Sequence, residues 1–279
     1  MWESMADFLS GGGTWEQRDP DAYETILSGD MNGDDGPDFA NNGENSYHVV
    51  TGSGTDATSI LDSFTITGGD ANGTEPNDRG AGMYNNNSSP AVTNCRFSGN
   101  IAAYGGGGMG NESNSNPIVT NCTFSGNTAL YGGAGMGNVS SSPTVTNCNF
   151  SGNSADYGGG MYNWDSSLTV TNCTFSGNSA RYDGGGMFNE INSSPTVTNC
   201  ILWNDAPDEI YNDATSTPTV TYSDVEGGWG DPNDPNNTNI NADPRFVDAN
   251  NPDPNLWNLR LSYDSPCVDA GDNSAPNLP

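Results

Sequence analysis

An all-β solenoid wound at about 26 residues per coil is predicted by three markers that recur in phase. Cysteines stand at Cys95, Cys122, Cys148, Cys173 and Cys200, at intervals of 27, 26, 25 and 27, with Cys267 off the series. Met83, Met109, Met136, Met161 and Met187 keep the same step, each after a glycine triplet such as Gly106-Gly-Gly or a Gly-Ala-Gly variant. Phe-Ser-Gly-Asn opens at Phe97, Phe124, Phe150 and Phe175. The apolar runs between these markers are three to five residues long, alternating, rich in Val and Thr, and bounded by Asn, Gly and Pro. That is the chemistry of short strands, and the runs are too brief for helices.

The elements follow in chain order, and all of 1–279 is read as a single β-helix domain. Residues 1–24 are an irregular N-terminal segment and residues 25–223 are coils. Residues 25–29, 47–52 and 59–68 supply strands of early, less regular coils. The regular unit then reads Gly-Gly-Gly-Met-Tyr-Asn, a polar loop, Ser-Pro-Thr-Val-Thr-Asn-Cys and Thr-Phe-Ser-Gly-Asn, with three short strands per unit. Residues 201–204, 209–212 and 219–223 continue the winding, for about ten coils in all. Residues 224–279 form a C-terminal loop and closing strand: an Asp, Asn and Pro-rich stretch to 255, an alternating strand over 256–261 and a closing turn over 265–271.

Strict recurrence stacks like on like at ~4.8 Å, the spacing of hydrogen-bonded strands. Val92, Val119, Val145, Val170, Val197 and Val220 should form one inward ladder, with the phenylalanines and methionines as two more. Asparagines after the strands suit turns in the left-handed region, and their amides can bond along the stack. The cysteines have no Cys-x-x-Cys spacing and one histidine, His48, for company, so a zinc site is not predicted. In-register neighbours also point their Cβ vectors the same way, which favours a ladder of buried free thiols over disulfides.

Composition narrows the function. Asp and Glu number 35 against 6 basic residues, all arginine, for a net charge of −29. Such a surface repels nucleic acid and anionic bilayers. No stretch approaches the roughly 20 apolar residues of a spanning helix, so membrane insertion is not expected. A hydrophobic fraction of 32% would suggest disorder in a non-repetitive chain, but stacked coils need few inward side chains each.

The Gly-Gly-Ala/Gly and Phe-x-x-Asn repeats resemble those of the polymorphic outer-membrane proteins and the wider group of bacterial right-handed parallel β-helix repeat proteins. Segments outside the repeat also resemble that group: Thr25-Ile-Leu-Ser-Gly-Asp30, Asn45-Ser-Tyr-His-Val-Val50, Leu61-Asp-Ser-Phe-Thr-Ile-Thr-Gly-Gly69, Tyr222-Ser-Asp-Val-Glu-Gly-Gly228, Ala242-Asp-Pro-Arg-Phe-Val-Asp248 and Ser265-Pro-Cys-Val-Asp-Ala-Gly271. The likeness covers roughly residues 16 to 273 and implies a right-handed parallel β-helix, surface-exposed or secreted. It also implies a secretion signal, further N-terminal coils and a C-terminal sorting segment, so this sequence is read as a fragment or processed form.

The expected function is therefore an extracellular or cell-surface structural or adhesin-type solenoid. Its expected partners are further copies of itself, stacked head to tail through open terminal coils, or other surface proteins, with polysaccharide as an alternative ligand. The alternatives are a polysaccharide hydrolase or lyase, a glycan-binding module and, as a minor reading, an ice-binding surface. A hydrolase needs two facing carboxylates, and Asp156, Asp165 and Asp183 on neighbouring coils are the candidates. The lyase reading suffers from the absence of lysine and the scatter of the arginines. Tyr104, Tyr131, Tyr157 and Tyr182 form a column able to stack on sugars or on itself. Thr-x-Thr rows at 144/146, 169/171, 196/198 and 219/221 carry the ice-binding alternative. Calcium is the one cofactor suggested, with Asp30, Asn32, Asp34 and Asp38 as alternating oxygen ligands; Gly36 stands one place late and no closing glutamate follows. Among the Asn-x-Ser/Thr triplets, Asn86, Asn111, Asn138 and Asn192 are the loop positions open to a glycan in a glycosylating host.

Overall fold

The structure, a computed structural model, describes residues 24–36, 40–249 and 251–274. The irregular segment expected over residues 1–24 falls outside these, apart from Glu24. One turn of the solenoid contains Met109–Glu112, Ile118–Thr120, Thr123–Ser125 and Thr128–Ala129. Equivalent strands pair in parallel along the axis into four sheets, here called the methionine, valine, phenylalanine and corner sheets, of seven, seven, eight and five strands. The corner sheet is a fourth strand per turn where the sequence suggested three, and the longest sheet falls short of ten coils. Two-residue strands such as Ile101–Ala102 carry too little alternation to be read from sequence.

In the methionine, valine and phenylalanine sheets the register holds residue for residue, and the corner sheet shifts it between Ala155 and Tyr157. Val92, Val119, Val145, Val170, Val197 and Val220 are successive partners, all buried. Phe97, Phe124, Phe150 and Phe175 stack with centroids 4.8, 4.8 and 4.7 Å apart and planes within 4° of parallel. Each such ring contributes about 1.5–3 kcal/mol of burial, with about 0.5–1.5 kcal/mol more from stacking. Met83 to Met187 form the third apolar ladder.

At the corners the chain turns, and a buried backbone N–H there needs an acceptor. Three residue types do this job in the same way. Asn100 N–H donates to Asn127 Oδ1 at 3.1 Å, Cys95 N–H to Cys122 Sγ at 3.4 Å and Ser88 N–H to Ser115 Oγ at 3.0 Å, and each pattern repeats along the stack. The thiols are thus free and buried, as expected, but they also accept and donate: Cys122 Sγ donates to Thr120 O at 3.3 Å. The asparagines of Thr-Asn-Cys occupy the left-handed region, from Asn94 at φ 53° to Asn199 at 56°.

A further asparagine ladder runs inside the methionine sheet, where Asn85 donates to Asn111, Asn111 to Asn138 and Asn138 to Asn163, each at 2.9 Å. Asn111 and Asn138 are therefore fully buried and closed to a glycan, which corrects their reading as loop positions; Asn86 and Asn192 are exposed. In the valine sheet the Thr-x-Thr rows are in register, yet Thr146 and Thr171 are buried, so the two columns do not form one open face.

The C-terminal stretch departs from the expected loop. Residues 238–242 lie on the closing coil: Asn239 accepts from Ser223 N–H and donates to Val220 O, and Ile240 bridges Asp224 in parallel. Asp224–Val225 extends the phenylalanine sheet. Phe246–Asp248 then pairs antiparallel with Asn258–Leu261, the expected last strand. Between them residues 251–257 cross the outer face of the phenylalanine sheet as a strap.

Candidate functional site

The acidic loop after the first strand is built around Asp30. Its Oδ1 accepts from Gly33 N–H at 2.6 Å and Asp34 N–H at 3.3 Å, and its Oδ2 from Asp35 N–H at 3.2 Å. Desolvation opposes ionisation of Asp30, but the N–H groups of Asp35, Gly33 and Asp34 outweigh it and hold the carboxyl below its usual range. One oxygen each of Asp30, Asp34 and Glu44 lie within 4.8 Å of one another. Glu44, on a 3-10 turn over Asn42–Glu44, is the member the sequence reading missed, because it sits outside the loop pattern. Asn32 is exposed, and Asp38 lies outside the described residues.

The three carboxylates considered for hydrolysis are not brought to one place. Asp156 and Asp183 belong to adjacent corner strands, Ser154–Tyr157 and Ser179–Asp183, and Arg181 Nη1 lies 4.0 Å from Asp156 Oδ1. Asp165 follows Met161–Trp164 at the turn leaving the methionine sheet, with φ 49° and a 3.4 Å bond from Ser140 Oγ. A glycine turn and a whole strand separate it from Asp156.

The tyrosine column forms, but in two parts. Tyr104 stacks on Tyr131 at 4.8 Å, and Tyr157 on Tyr182 at 5.1 Å, while Tyr131 and Tyr157 are tilted by 57°. A second outward column lies on the methionine sheet, with His48 on Tyr84, and Tyr162 on Phe188 on Tyr211. Gly110 and Gly137 occupy the register positions between Tyr84 and Tyr162. That gap is filled from the neighbouring column. Tyr131 meets Tyr162 edge-on at 5.7 Å, and the Arg79 guanidinium lies 4.5 Å from the Tyr104 ring centre. Arg79 is held by Asp78 at 2.8 Å and by Glu112, and Glu112 also accepts from Tyr84 Oη at 2.8 Å. What remains between Arg79, Tyr104, Tyr131 and Tyr162 is a cavity of about 20 Å³, room for one water. Tyr182 is the open end of the column, 47% exposed.

The sequence reading also passed over a buried acid pair in the closing coil. Asp205 takes the place of the ladder asparagine: its Oδ1 accepts from Asn178 N–H at 2.7 Å and Asn178 Nδ2 at 2.8 Å. Glu209 takes the place of the third glycine, and its Oε1 accepts from Asp205 N–H at 3.1 Å. Asp205 Oδ2 and Glu209 Oε2 are buried and have no other partner among the described residues. Burial raises both acids, and the charge of Asp205 raises Glu209 further, so folding favours the protonated form of the pair. The signal was present in the break from Asn to Asp and from Gly to Glu.

Comparison with known proteins bears on the fold. A family model described as a right handed beta helix region matches residues 37–181. No curated protein and no solved structure matches the chain.

Proposed function

The chain belongs to the right-handed β-helix family, and from that premise we propose that it acts as a rigid extracellular or cell-surface rod, a structural or adhesin-type spacer without catalytic turnover. The observation that supports this reading is the use of the interior. Over the regular coils the inward valines, phenylalanines and methionines belong to stacked ladders and the corner N–H groups of the asparagine, cysteine and serine ladders have acceptors, while Asp165 lies at a different corner from Asp156 and Asp183. Stiffness follows from ladder contacts that repeat from coil to coil.

Self-association head to tail is the weaker part of this reading, because residues 238–242 already take up backbone groups of the closing coil. A rod that presents its sides is the form supported here. Calcium enters only as a stabiliser of the Asp30 loop, through Asp30, Asp34 and Glu44, and calorimetric titration of Asp30→Ala against the parent tests it.

The deciding experiment incubates the chain with a panel of neutral and acidic polysaccharides, with and without calcium, and counts new reducing ends. No turnover is expected. Turnover abolished by Asp156→Asn or Asp183→Asn would replace the rod with a hydrolase.

A further inference from the structure

The strap and the phenylalanine sheet enclose a groove, and one wall of it is a strand with a vacant edge. Pro254 lies against Gly152 and Trp257 against Gly177, at positions with no room for a Cβ, and Ser125 Oγ donates to the Asn255 side chain at 2.5 Å. Beside these contacts the two surfaces diverge and leave a groove of about 390 Å³. Its sheet wall contains Arg96, Thr123 and Asn149, successive register partners in the phenylalanine sheet. Its strap wall contains Asn258, Leu259 and Arg260 of the strand Asn258–Leu261, whereas no residue of the paired strand Phe246–Asp248 lines it.

The sheet that these two strands form has no third member, so Asn258–Leu261 has one edge without a strand beside it among the described residues. Phe246 pairs with Leu261 and Asp248 with Asn258, which sets Leu259 and Arg260 together against Val247 in the manner of a β-bulge. Neither has a register partner of its own, and Arg260 N–H donates to Asn258 Oδ1 at 3.3 Å. An edge of this kind is a template for an added strand, whose main chain gives affinity and whose alternate side chains give selectivity.

The charge of the groove says what that strand should carry. Acids outnumber arginines 35 to 6 in this chain, yet no acid lines the groove. Of the five arginines among the described residues, Arg79, Arg181 and Arg245 are ion-paired with Asp or Glu, and Arg96 and Arg260 pair with none there. These two are the arginines of the groove, bonded to the Asn255 carbonyl at 3.3 Å and to Asn258 Oδ1 at 3.1 Å. A guanidinium left without a carboxylate keeps a planar donor fork for one arriving on a ligand.

We propose that this groove takes an extended acidic peptide segment of a partner protein as an added strand along Asn258–Leu261, with Arg96 and Arg260 meeting its carboxylates. Alternate side chains of a strand share a face, so acids two residues apart are presented together. The net charge of −29 disfavours a partner that is strongly acidic throughout, so the carboxylates should be few and placed on the docking strand itself. This goes beyond the rod reading, and the two fail separately: loss of peptide binding leaves the rod intact, and turnover on the polysaccharide panel would not involve these arginines.

The test is calorimetric titration with a blocked pentapeptide of alternating valine and glutamate, valine at both ends. Its controls are the glutamine counterpart, the backbone N-methylated counterpart and trigalacturonate. The glutamate peptide should bind, more weakly as salt rises, with all three controls at least about tenfold weaker. It should also slow hydrogen exchange at the Leu259 and Arg260 amides. Arg96 also holds the strap through Asn255, so the deciding variant is Arg260→Gln, an exposed side chain that bonds only Asn258. It should weaken binding by about tenfold or more, and Arg181→Gln, at a distant ion pair, should leave it within about twofold. No binding, equal binding of the glutamine or N-methylated peptide, unchanged exchange at Leu259 and Arg260, or indifference to Arg260→Gln would each overturn the proposal. Trigalacturonate bound as tightly as the peptide would make the groove a sugar site, and a dimer in sedimentation that Arg260→Gln abolishes would make the occupant a second copy; either overturns it too.

Discussion

The regular coils and the closing coil use the same ladders under different rules. Between residues 83 and 200 each rung repeats its neighbour, because an interior rung must accept from one side and donate to the other. In the closing coil several ladders change residue, while Val220, Asn212 and Ser216 continue theirs. Leu202 follows the phenylalanines, Asp205 the asparagines, Glu209 the glycines, and Ser223 the cysteines, 23 residues after Cys200 instead of about 26. Asp205 accepts from Asn178 without leaving an amide donor unused and brings a charge that the repeating rungs never carry, whereas the Ser223 hydroxyl accepts from Cys200 N–H and donates to Thr221 O as the thiols do. Repetition and termination are thus separate problems with separate side chains.

The largest expected effects sharpen that contrast in the core. Phe150→Ala, with a ring on each side, should cost about 3–5 kcal/mol in equilibrium unfolding. Leu202→Ala at the margin should cost less, about 2 kcal/mol; equal losses would break the distinction. Next come the polar ladders, with opposite signs expected in the two regions. Asn153→Ala strands the backbone N–H of Asn127 and leaves its amide only the Phe97 carbonyl, and should destabilise by about 1–3 kcal/mol. Asp205→Asn should raise the melting temperature at pH 8. Burial raises the pair's pKa values on folding, so its favourable state is complete at acid pH below the unfolded carboxyl range and is lost as pH climbs through the folded values. Stability of the parent should therefore fall from about pH 4 towards alkaline pH, and Asp205→Asn should flatten that slope; an unchanged slope would show that the pair does not take up a proton on folding.

A smaller effect is expected at the strap. Gly177 has φ 64° and no room for a Cβ beneath Trp257, so Gly177→Ala should cost about 1 kcal/mol of backbone strain and speed hydrogen exchange over residues 251–261, with the coils unaffected. The smallest concerns the thiols. Cys148→Ser keeps an acceptor at the corner and should change stability by less than about 1 kcal/mol. In the parent, burial pushes Cys122, Cys148 and Cys173 well above the ordinary thiol range, and these should stay silent to a thiol reagent until the chain unfolds.

Much of this fold was legible because period is a one-dimensional signal. The valine, phenylalanine, methionine and cysteine columns could be aligned by counting alone, and the structure puts each where the count implied. What counting missed has a physical reason in each case. The corner sheet is two residues long in several coils. Asn111 and Asn138 look like loop residues because they flank glycines, and only the turn of the sheet shows them facing inward. The serine ladder from Ser88 to Ser216 hides in a polar loop whose other members are exposed. Of the site residues, Asp30 and Asp34 were visible as a motif, whereas Glu44 joins them through the fold. Arg96, Trp257 and Arg260 share no motif, since the strap that unites them bridges some 160 residues of sequence.

The strap also bears on how such a chain can change over generations. Pro254 and Trp257 rest on Gly152 and Gly177, two copies of one Ser-Gly-Asn turn, and Gly126 offers a third. If a single 26-residue unit were duplicated or lost by recombination, the stack would shift by one storey and the strap would land on an identical step. Copy number can then drift while the C-terminal fastening still finds its seat, so the length of the rod is open to selection independently of its closure.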